Sequence, residues 1–152
     1  GSECPTPAMT IDLLPTVAEL IGARLPEHPI DGKSIVHLLK GTSDTSPHEA
    51  YYFYYGRQLQ AIRMGKWKLH FPHGYRTMAG RPGGTDGIPT RYSQAKIGLA
   101  LFDMEKDIGE TTDVKAKHPD IVKQLQALGE KMRNELGDNG RSGTGLRLPG
   151  RL

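Results

Sequence analysis

Cysteine is nearly absent from this 152-residue chain: Cys4 stands alone, so no internal disulfide can brace the fold. Long apolar runs are absent too. None approaches the roughly 20 residues that a bilayer crossing needs, so no membrane segment is expected. An excess of one charge is also lacking. The formal net charge is +3 and the basic residues are spread along the chain, whereas a nucleic-acid surface wants them gathered on one face. The opening Gly1-Ser2-Glu3-Cys4-Pro5 has neither a basic start nor an apolar stretch, and so does not read as a signal peptide.

Catalytic motifs are missing as well. There is no GxSxG elbow, no phosphate-binding loop and no GxGxxG. Hard cations want clustered carboxylates, and no DxDxD run occurs. Zinc wants His and Cys at tight spacing, but the histidines are scattered as His28, His37, His48, His70, His73 and His118. His70 and His73 can share an ion only if the chain turns back on itself; a strand-edge His followed by a loop His is the plainer reading. Cys4 lies in an extended, proline-rich context with no base beside it. The residues therefore predict no catalytic centre and no metal site on this chain.

What is present is a modest globular inventory. Apolar residues make up 36% of the chain, enough for one core, while 19 Gly and 11 Pro imply much turn and loop. Residues 10–22 read as a first helix, with Thr10 or Asp12 capping its start and Gly22 ending it. Ile11, Leu14, Val17, Ala18 and Ile21 recur at helical spacing and are expected to face inward. Ser34 to Leu39 reads as a short helix with Ile35, Leu38 and Leu39 inward. The small polar residues 41–48 read as an exposed loop.

Strand signals follow at Tyr51–Tyr55, Leu59–Met64, Lys66–Phe71 and Leu99–Met104, with short connections between the first three that favour an antiparallel meander. In the third run Trp67 and Leu69 share one face, and Lys66, Lys68 and His70 the other. The aromatic run Tyr51–Tyr55 is expected to pack on both faces, against core and against a neighbouring layer. Residues 72–98 read as a long loop rich in glycine and proline. Pro119 at a first helical position, Asp120 beside it, and Ile121, Leu125, Leu128, Met132 and Leu136 as a stripe predict a final helix that Gly137 ends. The fold class is α+β: a four-stranded antiparallel sheet packed against a long C-terminal helix, preceded by a helical segment. The expected divisions are residues 1–45, 46–137 and a Gly-rich tail at 138–152 that is expected to fray.

The loop at 72–98 is the best functional candidate, because His73, Tyr75, Arg76, Arg81 and Arg91 combine hydrogen-bond donors, positive charge and an aromatic surface.

Several segments, in this order, resemble the end of the sulfatase family, formylglycine-dependent and arylsulfatase-like. Met9-Thr10-Ile11-Asp12-Leu13-Leu14-Pro15-Thr16 resembles a late helix of the family, and Ile30-Asp31-Gly32-Lys33-Ser34 the segment after it. Ala61 to Leu69 (AIRMGKWKL) is similar to its C-terminal sheet hairpin. Leu101 to Asp107 (LFDMEKD), Gly109-Glu110-Thr111-Thr112 and His118-Pro119 resemble its closing strand, turn and helix. The resemblance implies a C-terminal fragment of a sulfuric ester hydrolase that completes the fold and shapes the substrate pocket. It implies formylglycine made within C/S-x-P-x-R, and calcium, neither of which maps here: Cys4 is followed by Thr6 and Ala8 where the motif wants Pro and Arg. The expected partners are a missing N-terminal catalytic half and a sulfate ester or sulfated sugar, with His73, Tyr75 and Arg76 at the substrate. The chain alone is expected to be inactive, and to form a homodimer over the face left bare. The family is often periplasmic or secreted. A stand-alone interaction or carbohydrate-binding module, and the end of a related phosphatase or phosphonate hydrolase, are the alternatives.

Overall fold

The structure, a computed structural model, describes residues 3–146. Gly1-Ser2 and residues 147–152 of the expected tail lie outside the described residues. The chain divides between Glu49 and Ala50 into two compact units.

In the first unit a 3-10 turn, Thr10–Asp12, runs into helix α1, Leu13–Ile21, and a short helix α2, Val36–Leu39, follows. Gly22 ends α1 at φ 67°, a left-handed conformation that side-chain-bearing residues avoid. The expected cap is corrected in detail. Neither Thr10 nor Asp12 caps α1 through its side chain. The Asp12 carboxylate is instead fully buried. It accepts hydrogen bonds from the Met9 and Lys33 backbone N–H groups, at 2.9 Å each, and from His48 Nε2 at 2.7 Å. Thr16, also buried, donates to the Asp12 carbonyl at 2.6 Å and accepts from the Ile35 N–H at 3.0 Å. A polar knot thus holds α1 to the 30–36 segment. Gly32 is required beside it, since a Cβ there would stand 1.9 Å from the Ile11 carbonyl oxygen.

The expected apolar stripe of α1 does not face inward. Only Ala18 of that set is buried; Ile11, Leu14, Val17 and Ile21 are exposed, Ile21 at 72%. Leu13 and Leu20 are exposed as well. The reason is that α1 turns Pro15, Thr16 and Ala18 to its own unit, where polar bonds rather than an apolar core fix it. At α2, Leu38 and the preceding Ile35 are buried as expected, but Leu39 is exposed and Val36 takes the inward place.

The second unit contains strands β1 Tyr51–Tyr55, β2 Gln58–Met64, β3 Trp67–His70, β4 His73–Thr77, β5 Ser93–Ile97 and β6 Ala100–Asp103. Helix α3, Pro119–Leu136, and the short strands β7 Gly137–Asp138 and β8 Arg141–Ser142 follow. The main sheet is antiparallel with order β1-β2-β3-β6. Side chains alternate across it, so Ile62, Leu69 and Leu101 stand in register on one face and meet Leu125 of α3. All four are fully buried, each stabilising the fold by about 1.5–3 kcal/mol through apolar burial. Leu59, Phe71 and Ala50 complete this core, with Ile121, Val122 and Leu128 packed at its margin. Leu136, expected on the stripe, is exposed. On β1, Tyr52 and Tyr54 pack against the core, and Tyr51, which alternation turns to the other face, is buried as well, whereas Phe53 and Tyr55 are exposed.

Two segments read as irregular are ordered. Residues 72–98 are a hairpin arm in which β4 and β5 pair from His73↔Ile97 to Thr77↔Ser93, leaving only 78–92 as its tip. The tail is not frayed through residue 146. β7 pairs with β8, and the Thr144 and Gly145 N–H groups donate to the Asn134 and Glu135 carbonyls at 2.8 Å each, satisfying the end of α3. At the other margin, the outward side of β6 is engaged. The Leu101 N–H donates to Asp113 Oδ1 at 3.1 Å, its carbonyl accepts from the Val114 N–H at 2.9 Å, and the Asp103 carbonyl accepts from Lys106 and Asp107.

Candidate functional site

The arm and the turn after β6 together enclose a cleft of about 370 Å³, lined by His70, His73, Tyr75, Thr77, Ile97, Gly109 and Glu110. Its floor comes from β3. Lys68 and His70 sit on the face of the strand away from the core, and Glu110 reaches both: one carboxylate oxygen pairs with Lys68 Nζ and the other lies 3.0 Å from His70 Nε2. That second contact is an ion-pair distance only, because neither ring nitrogen of His70 makes an aligned hydrogen bond among the described residues. Burial is the main reason His70 is held below the usual histidine range. The charges of Lys68 and His73 add to the effect, and Glu110 opposes it.

The chain then turns at Pro72 and enters β4, where odd-numbered side chains face the cleft and even-numbered ones face away. The His73 ring stacks on that of His70 with centroids 5.4 Å apart, and Tyr75 meets His73 edge-on at 6.3 Å. His73 Nδ1 donates to the Phe71 carbonyl at 2.7 Å, which fixes the ring's orientation.

Of the three residues expected at substrate, the structure brings His73 and Tyr75 together and sets Arg76 apart. Arg76 points to the other face of the arm, its guanidinium 4.4 Å from the centre of the Tyr92 ring, and lines a separate recess with Pro89, Thr90, Arg91, Tyr92 and Gln94. Arg81 is committed to the arm's own tip through the Met78 carbonyl and Ser93 Oγ, at 3.0 and 2.6 Å. Sequence reasoning missed the cleft's other half. Lys68 and His70 were legible as one strand face, but nothing in the spacing couples them to Glu110, which lies 42 residues from Lys68. The cleft can hold a ligand by hydrogen bonds and aromatic contact. Among the described residues no helix is long and apolar enough to cross a membrane.

Comparison with known proteins agrees with this architecture. Residues 46–142 match the family described as the C-terminal region of aryl-sulfatase. Steryl-sulfatase of Mus musculus is 30% identical over 150 residues, covering 90% of this chain and 24% of that protein. Arylsulfatase A of Homo sapiens is 32% identical over 134 residues, covering 80% of this chain and 25% of that protein. The chain therefore spans about a quarter of the length of these curated relatives. Among solved structures, Ps i-CgsB has a TM-score of 0.55 at 24% identity, covering 85% of this chain and 25% of that one. A Bacteroides thetaiotaomicron protein solved in work on the metabolism of multiple glycosaminoglycans has a TM-score of 0.54 at 24% identity, covering 80% and 24%. Both share the fold.

Proposed function

The chain belongs to the sulfatase family, as its C-terminal region, and from that premise we propose that it completes the fold of a sulfuric ester hydrolase and borders its substrate pocket with the β4–β5 arm. The catalytic groups lie on other polypeptide. Among the described residues no group of three or more His, Cys, Asp and Glu is placed to hold a metal ion. Cys4 has Thr6 and Ala8 where C/S-x-P-x-R wants Pro and Arg. On this reading calcium and formylglycine belong to the partner half, and this chain alone is inactive toward sulfate esters.

The observation that carries the reading is the outward face of α1. Leu13, Leu14, Val17, Leu20 and Ile21 form an exposed apolar surface on a helix whose polar Thr16, like Asp12 just before it, is buried. Burying such a surface is favourable by roughly 25 cal/mol per Å², and exposed patches of this kind mark contact sites. The catalytic half is the occupant. In its absence the face pairs with a second copy, so a monomeric mass by light scattering at high concentration argues against this part of the reading.

In the completed enzyme His73 and Tyr75 contact the substrate from the cleft, and Arg76 does so from the opposite face of the arm. A matching, formylglycine-bearing catalytic half should hydrolyse 4-nitrophenyl sulfate only when mixed with this chain, and Val17→Asp with Leu20→Asp should abolish the gain. Turnover by this chain alone, or no gain on mixing, overturns the proposal. His73→Ala with unchanged kcat/KM on the physiological ester removes the substrate role.

A further inference from the structure

The cleft's donors and acceptors specify what kind of group enters it. A backbone carbonyl can only accept a hydrogen bond, so the 2.7 Å contact between His73 Nδ1 and the Phe71 carbonyl places the proton on Nδ1. In the neutral ring Nε2 then carries a lone pair and accepts. No Lys or Arg lines the cleft. Lys68, on the same face of β3 as His70, is already paired with Glu110, whose carboxylate forms part of the wall. Arg76, the cation that sequence reasoning placed here, is on the far face of the arm.

This is the wrong lining for a sulfate. Oxyanions are held by charge-assisted donors from Arg, Lys or clustered N–H groups, and a carboxylate wall repels them. Neighbouring hydroxyl groups suit it: one donates to His73 Nε2, a second donates to Glu110, and either accepts from the Thr77 hydroxyl. The exposed Tyr75 ring offers an aromatic face of the kind that sugar C–H groups pack against. At about 370 Å³ the cleft lies within the usual range for small-molecule sites, roughly 300–1,000 Å³.

We propose that the His73–Tyr75–Glu110 cleft is a subsite for an unsulfated, hydroxyl-bearing sugar ring, and that it recognises the carbohydrate part of the substrate rather than the ester being cleaved. This rests on the reading that the arm borders a sulfatase substrate pocket, and it narrows that substrate to a sulfated glycan.

The test is an NMR titration of the 152-residue chain at pH 8 with three unsulfated probes: the methyl glycosides of glucose, galactose and N-acetylglucosamine. Sodium sulfate at matched ionic strength is the comparison. At least one glycoside should shift the His73 and Tyr75 resonances at tens of millimolar. Sulfate should leave them in place. His73→Phe, which keeps a flat ring and removes the acceptor, should weaken that glycoside at least fivefold while circular dichroism shows the fold retained. No shift with any glycoside, equal binding by His73→Phe, or a sulfate shift larger than any sugar's overturns the inference. The two proposals fail separately. A chain that restores activity to the catalytic half but binds no sugar overturns this one alone, and a chain that binds sugar but restores nothing overturns the other.

Discussion

Gly129 lies in the middle of α3, where a glycine costs about 1 kcal/mol relative to alanine in an exposed helix. On propensity alone Gly129→Ala should stabilise the chain. The structure reverses that sign. A Cβ at 129 would stand 2.6 Å from Phe71 Cζ, 3.3 Å from Phe71 Cε2 and 3.2 Å from Ile62 Cδ1. Ile62 is fully buried in the sheet, and the Phe71 ring cannot retreat freely because the Arg133 guanidinium packs over it at 4.1 Å. Overfilling a packed core by one methyl costs about 1–3 kcal/mol, so the helix gain offsets only part of it. The net loss should be about 1 kcal/mol, and at most about 2. For a unit of this size that lowers Tm by roughly 4–8 °C per kcal/mol, read by thermal unfolding in circular dichroism. The control is the same change in a Phe71→Leu background, where space opens and alanine should recover about 0.5–1 kcal/mol of helix preference. If Gly129→Ala raises Tm in the wild-type background, close approach of α3 to Phe71 is not what keeps glycine there.

Asp12→Ala should destabilise the first unit by about 3–5 kcal/mol, since it leaves the Met9 and Lys33 N–H groups and His48 without their acceptor; hydrogen exchange confined to residues 9–48 would report it. Burial raises the Asp12 pKa, but the backbone bonds from Lys33 and Met9 and the His48 ring together bring it below the usual carboxylate range. Its contribution is therefore complete above about pH 4 and lost as pH falls through the lowered value, and Asp12→Asn should flatten that acid limb of urea-midpoint curves. His70 also has a depressed folded pKa, so the unfolded chain takes up its proton first and stability declines as pH drops below about 6.5. Glu110→Gln removes the carboxylate that opposes this and should lower the His70 pKa further in an NMR titration; a rise would contradict the charge arrangement of the cleft. Tyr54→Phe deletes the hydroxyl that donates to the Gly137 carbonyl at 3.0 Å and should cost about 1 kcal/mol in urea unfolding.

The last helix and the main sheet were readable because their apolar periods are clean and glycine and proline punctuate them. In α3 the stripe meets a sheet face that carries Ile62, Leu69 and Leu101 in register, so local pattern and tertiary burial agree. The arm was unreadable for a physical reason. HGYRT has no apolar alternation and SQAKI sets only Ala95 and Ile97 against Gln94 and Lys96, so what makes them strands is their pairing with each other across the 78–92 tip. Once they are strands, the two-residue alternation separates Arg76 from His73 and Tyr75, which a loop reading cannot foresee. The α1 stripe shows the converse. Its helical period is real, but periodicity states only that a face is apolar, and here the described residues offer Leu14, Val17 and Ile21 nothing to pack on. Glu110 was invisible because its role is a long-range charge contact made from a turn.

The engaged margin of β6 restricts how this molecule can grow. A sheet edge with open N–H and C=O groups is a template for a foreign strand. Here the Leu101 amide and carbonyl and the Asp103 carbonyl are already taken by Asp113, Val114, Lys106 and Asp107. A peptide from a neighbouring molecule would have to displace the 105–114 turn before it could add beside β6. That turn also holds Glu110 against the cleft, so cross-molecular strand addition on this side would dismantle the cleft at the same time. Protection from aggregation and upkeep of the recess are, at this margin, the work of one short stretch of chain.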